Sequence, residues 1–164
     1  SPGSDETGIV AVGLGADGFG YVLADESGRY RPEEWARRAV SLYRSLDADR
    51  IIGEVNNGGD LIEAAIRAQA ADVPYKAVRA SKGKVARAEP VAALYERGKV
   101  VHIGQFPELE DQCCAITVGF DSKVAGWSPD RVDALVWGLT ELFPALSARR
   151  STMQEMPKPQ FSMI

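Results

Sequence analysis

Arg50-Ile51-Ile52-Gly53-Glu54-Val55 runs directly into Asn56-Asn57-Gly58-Gly59-Asp60, an apolar stretch that ends on a carboxylate and then breaks on turn residues. Ile51, Ile52 and Val55 read as a short strand covered on both faces, the kind found in the middle of a parallel sheet. The next apolar set, Leu61, Ile62, Ala65, Ile66 and Ala68, repeats at helical spacing. Glu54 is thus predicted at the carboxyl end of a central strand, where a negative charge is costly unless a cation, a donor network or water meets it. Two readings stand: a site, or a helix-start signal in which Asn57 caps, the glycines turn the chain and Glu54 is solvated.

Outward from that strand, both flanks read as α/β. Gly8 to Leu14 and Gly18 to Ala24 are apolar, β-branched stretches separated by Gly15, Asp17 and Gly18, which predicts a β-hairpin. Pro32-Glu33-Glu34 opens a helix with a predicted buried stripe of Trp35, Ala39, Leu42, Tyr43 and Leu46. After the Glu54 strand and its helix come a strand over Tyr75 to Ala80, a basic loop, and a helix from about Ala88 to Arg97 stopped by Gly98. Phe106 to Thr117 reads as helical and Phe120 to Trp127 as a turn-rich loop. Ser128-Pro129-Asp130 then opens a last helix with a stripe of Val132, Leu135, Val136, Leu139, Leu142 and Phe143. The order β, β, α, β, α, β, α, β and further helices implies a mixed sheet, antiparallel first and parallel afterwards. Residues 1–146 form one expected domain and 147–164, with Pro157 and Pro159, an expected tail.

Composition narrows the chemistry. With 164 residues, 45% hydrophobic and 26% charged, the chain is an ordinary globular domain, and its net charge of −4 means that any polyanion must be met by a local basic patch. Cys113 and Cys114 are adjacent and carry no disulfide framework, which points to a reducing, cytoplasmic setting. The only histidine, His102, lies in the predicted strand Lys99 to Gly104 and reads as structural. No run is long enough to span a bilayer, so no membrane partner is expected.

Carboxylates and cations remain. Ser128 reads as a helix cap with Pro129 in the first helical position, which puts Asp130 and Asp133 on one face near the amino end. Both could simply complement the helix dipole. If instead they meet Glu54, like charges about 4 Å apart repel by roughly 4 kcal/mol per pair at an effective dielectric near 20, so a metal or a shared proton is needed. Oxygen-only ligands select Mg2+ or Mn2+, and two such ions are a usual device for cleaving a phosphodiester. From Lys76 to Arg87 the chain carries Lys76, Arg79, Lys82, Lys84 and Arg87 with no acid among them. That island is either a solvated loop or a phosphate contact. A Ser81–Lys82 nucleophile pair lacks an accompanying oxyanion-hole motif.

Five blocks in order resemble a known family: Asp5 to Val10, Glu54 to Asp60, Ser81 to Pro90, Gly98 to Val100, and Ser128 to Trp137. Together, from about Asp5 to Phe143, they resemble the nuclease domain of tailed-phage and prophage terminase large subunits. The resemblance implies a ribonuclease H-like mixed sheet flanked by helices and a metal-dependent endonuclease that cuts concatemeric double-stranded DNA during viral genome packaging, with two Mg2+ or Mn2+ ions. By motif, Glu54 and Asp130 resemble the family's second-strand and last-helix acids, Asp133 and Asp5 its additional nearby acids, and Lys82, Lys84 and Arg87 its DNA path. Implied partners are an upstream ATPase domain, the portal and the small terminase subunit, in the host cytoplasm.

In the family pattern an aspartate ends a first strand shortly before a segment like Ser1 to Asp5. That strand is therefore expected to be truncated here, and this chain to cut weakly or not at all. The alternatives are a catalytically impaired DNA- or portal-docking domain of the same fold, and an ATP-binding domain using Asn56 to Gly59, which lacks a second glycine-rich phosphate turn.

Overall fold

A computed structural model describes residues 6–55, 60–116 and 128–146. The hairpin forms as expected: β1 (Val10–Leu14) pairs antiparallel with β2 (Gly20–Asp25), with a register irregularity between Ala11 and Val12. Then follow α1 (Pro32–Ser45), β3 (Ile51–Glu54), α2 (Leu61–Gln69), β4 (Tyr75–Val78), α3 (Lys84–Glu96), β5 (Val100–His102), α4 (Pro107–Ile116) and α5 (Asp130–Leu142). β5 adds parallel to β2 and β3 pairs parallel with β4, so the antiparallel-then-parallel order predicted from sequence is the observed one.

Among the described residues the strands form two ladders, β1-β2-β5 and β3-β4, without hydrogen bonds between β1 and β3. A cavity of about 570 Å³ lies there, lined on one side by Ile9, Val10 and Ala11 and on the other by Ile51, Ile52 and Gly53. For that reason β3 is half-buried along its whole length and not covered on both faces as its composition suggested. α1 departs for the same reason. Its buried residues are Ala36 and Val40, while the predicted stripe of Trp35, Ala39, Leu42, Tyr43 and Leu46 lines the cavity.

α5 organises the larger core. Val132, Leu135, Val136, Leu139 and Leu142 are all buried, against Val12 and Val22 of the hairpin, Val91 of α3 and Leu109 of α4. Gly138 permits the close approach to the hairpin, since a Cβ there would lie 2.6 Å from the Val12 methyl. A second, smaller core joins Ala36 and Val40 of α1 to Ile66, Ala70 and Val73. Glu141 ties the two halves, taking hydrogen bonds from Arg50 at 3.2 Å and from Lys76 at 2.8 Å.

Two local expectations are corrected. α3 starts at Lys84, a turn before the expected Ala88, and the end of the expected basic loop, Lys84 and Arg87, is held within the helix by ion pairs to α5; Pro90 is accommodated within the helix. Ser128 does not cap α5: Pro129 takes the cap position, and Gln112 Oε1 of α4 accepts the Arg131 and Val132 amides at 3.1 and 3.4 Å. The orphan amides of a helix start need an acceptor, and here it comes from a distant element.

Candidate active site

β3 delivers Glu54 at its carboxyl end, and the first turn of α5 delivers Asp130 and Asp133 on one face. All three expected carboxylates come together with two cations from the start of α3. Arg87 donates to Asp133 Oδ1 at 2.7 Å and stands 3.9 Å from Glu54 Oε2, bridging the acids of two elements. Lys84 donates to Asp130 Oδ1 at 2.9 Å and lies 3.9 Å from Asp133 Oδ2. The Ser128 hydroxyl, expected to cap, instead donates to Asp130 Oδ1 at 2.7 Å and accepts from Lys84 at 2.9 Å.

Asp133 is the one charged residue among those described that is buried as a whole residue, backbone and side chain together. Burial pushes its carboxyl above the usual carboxylate range, against the pull of the Arg87 hydrogen bond and of the Arg87 and Lys84 charges. Trp137, one turn further along α5, completes the setting. Its indole N–H donates to Glu54 Oε2 at 3.0 Å, and the Arg87 guanidinium lies 5.0 Å from its ring centroid. Sequence reading gave Trp137 no role. Its spacing of four from Asp133 was the available signal, since that puts both on one face.

The acids are bridged by cations and do not form an oxygen cage by themselves. Among the described residues no three His, Cys, Asp or Glu side chains are grouped as a metal site. Lys84 and Arg87 lie between the three acids and answer part of their mutual repulsion. The donor set nevertheless fits one cation. Lys84 marks a position between two carboxylates that an ammonium group already fills, and Asp130 Oδ2 is buried with no hydrogen-bond partner, as an oxygen awaiting a ligand would be.

The other expected residues divide. Lys76 is committed to Glu141, eleven residues and so roughly 16 Å along α5 from Asp130. Arg79 and Lys82 are exposed on the segment joining β4 to α3. Asp5 and the segment Asn56 to Gly59, expected to turn, lie outside the described residues. His102 is structural, its Nε2 2.7 Å from the Tyr95 hydroxyl.

The terminase RNaseH-like domain family matches residues 1–142. The chain belongs to that family. Its mixed α/β architecture is therefore a ribonuclease H-like fold, and the domain is of the terminase nuclease type. A search of the curated proteins gives no match. No helix among the described residues is long and apolar enough to cross a membrane.

Proposed function

We propose that this terminase domain is a metal-dependent endonuclease that cuts concatemeric double-stranded DNA during viral genome packaging. The observation that carries the reading is the meeting of Glu54, Asp130 and Asp133, from β3 and the start of α5, around the cations of Lys84 and Arg87, with Asp130 Oδ2 buried and without a hydrogen-bond partner. Asp130 and Asp133 would hold Mg2+ or Mn2+, with Glu54 as the third carboxylate. An ion bound there supplies an acidified water and a counter-charge for the leaving oxygen. Trp137 keeps Glu54 aimed at the site through the indole hydrogen bond, and the buried position of Asp133 fixes its carboxylate. Arg79 and Lys82, exposed on the segment that leads into α3, would meet backbone phosphates without reading sequence.

The family pattern adds an aspartate at the end of a strand before the hairpin. Such a strand would lie along the free edges of β1 and β3, where the cavity now is. In the whole assembly the domain would act in the host cytoplasm with its ATPase domain, the portal and the small terminase subunit.

Nicking of supercoiled plasmid with Mn2+ or Mg2+ is the test. The chain should nick slowly and only with metal, and Glu54→Gln or Asp130→Asn should each lower the rate roughly a hundredfold. Equal rates in all three, zero included, would overturn the reading. A catalytically impaired docking domain is the second reading, favoured by the cation-bridged state of the acids.

A further inference from the structure

Spacing of four sets Asp133, Trp137 and Glu141 on one face of α5, and each is tied to the half of the molecule that carries β3 and β4. Asp133 is linked to Glu54 through Arg87, at 2.7 and 3.9 Å. Trp137 donates to Glu54 Oε2 directly, at 3.0 Å. Glu141, its side chain 17% exposed, accepts from Arg50 at 3.2 Å, and both its oxygens accept from Lys76, at 2.8 and 2.9 Å. α5 and β3 therefore run in opposite directions, with the acids at one end of the contact and Glu141 at the other.

These side chains hold what the backbone does not. Among the described residues the ladders β1-β2-β5 and β3-β4 share no strand hydrogen bonds, a cavity lies between them, and each half has its own buried core. Glu54 belongs to one half and Asp130 and Asp133 to the other, so the way the halves are held decides the spacing of the acids. The Trp137 bond alone is a pivot about which the β3-β4 ladder can turn. Arg50 stands four residues before Glu54, roughly 13 Å along an extended chain, and Lys76 is on the neighbouring strand, opposite Ile52. Attachment at Glu54, Arg50 and Lys76 is attachment at three points off one line, which fixes the orientation of a rigid body.

We propose that Glu141 is a positioning residue, which sets where Glu54 stands relative to Asp130 and Asp133 by gripping β3 and β4 from the far end of α5. It lies eight residues, roughly 12 Å, along the helix from Asp133, so it acts only through the ladder it holds. Its weight for cleavage rests on the endonuclease reading above; the placement of Glu54 does not.

The indole N–H of Trp137, seen by nuclear magnetic resonance in the full chain and assigned by its loss in Trp137→Phe, reports that placement without recourse to cleavage. Glu141→Ala should move the indole proton toward its position in Glu54→Ala, where the acceptor is gone. Lys76→Met, a change at a half-exposed side chain, should move it in the same sense. Glu141→Gln, which keeps an acceptor oxygen, should stay nearer wild type. Glu63→Ala, which breaks an ion pair within α2, should leave it in place. In plasmid nicking, Glu141→Ala should lower kcat roughly tenfold or more with KM within about twofold, since a displacement near 1 Å is that costly to chemistry and not to binding. An indole proton unmoved in both Glu141→Ala and Lys76→Met overturns the positioning, as does one that moves while kcat stays at the wild-type value. A wild type that does not nick, with an indole proton that moves as expected, overturns the endonuclease reading and sustains the role of Glu141 in placing Glu54.

Discussion

Arg131 and Asp130 are neighbours on α5, yet the ion-pair clusters they belong to are built on different terms. Around Arg131 the guanidinium fork is used in full: Nε and Nη2 reach Glu6 Oε1 at 3.0 and 2.7 Å, and Nη1 reaches Asp25 Oδ2 at 2.7 Å. Gln112 takes the other Glu6 oxygen at 3.1 Å. Around Asp130, by contrast, buried polar atoms are left over, Asp130 Oδ2 and Arg87 Nε. A fully satisfied network holds elements together, whereas one with a spare acceptor, a spare donor and a half-exposed, flexible lysine is ready to exchange partners. The same charge chemistry, one residue apart, serves structure in one direction and, on the function proposed above, a reaction site in the other.

Breaking the first cluster should have the largest effect. The Asp25 side chain is 3% exposed, so Arg131→Met leaves a buried carboxylate without its cation. Urea unfolding should show a loss of about 3–5 kcal/mol. A loss under about 1 kcal/mol would erase the contrast between the clusters.

The second cluster should respond in the opposite sense. Asp130→Asn removes one of three crowded negative charges while keeping an acceptor for Lys84 and Ser128, so stability should stay within about 0.5 kcal/mol of wild type or rise. Destabilisation comparable to that of Arg131→Met would reassign Asp130 to the structural network.

The cysteines of α4 give the smallest test, through a side chain held only by packing. Burial first, then the neighbouring Cys114 and Glu110, pushes the Cys113 thiol from 9.0 up to about 11. Because the folded thiol keeps its proton longer than the unfolded one, the stability it contributes is present below pH 9.0 and is lost as pH rises through about 11. At pH 8.5 the exposed Cys114 should alkylate with iodoacetamide at least about tenfold faster than Cys113. Equal rates would mean that α4 opens readily, and with it the Gln112 contacts that hold the Arg131 cluster.

What the sequence made legible followed periodicity. The α5 stripe of Val132, Leu135, Val136, Leu139 and Leu142, the hairpin, and the placing of Glu54 at a strand end all follow from spacing within one segment. α1 misled because its most apolar face meets a cavity, so amphipathicity named an apolar side without naming what covers it. At the site, the three acids were legible as residue types in suggestive positions. Their neutralisation was not: Trp137 lies 83 residues from Glu54 and Arg87 46 from Asp133, and no local pattern reports such pairings. Lys84 and Arg87 read as surface charge for DNA because a run of cations without acids looks solvated until the fold turns two of them inward.

The central claim is that a hard divalent ion binds between Asp130 and Asp133, and the melting temperature of the chain with and without Mn2+ tests it most directly. A ligand that binds only the folded state must stabilise it. With Mn2+ well above its dissociation constant, the wild type should melt about 4 °C or more higher than without it, and Asp130→Asn should show no shift. The same rise in both proteins, or none in the wild type, would contradict the account.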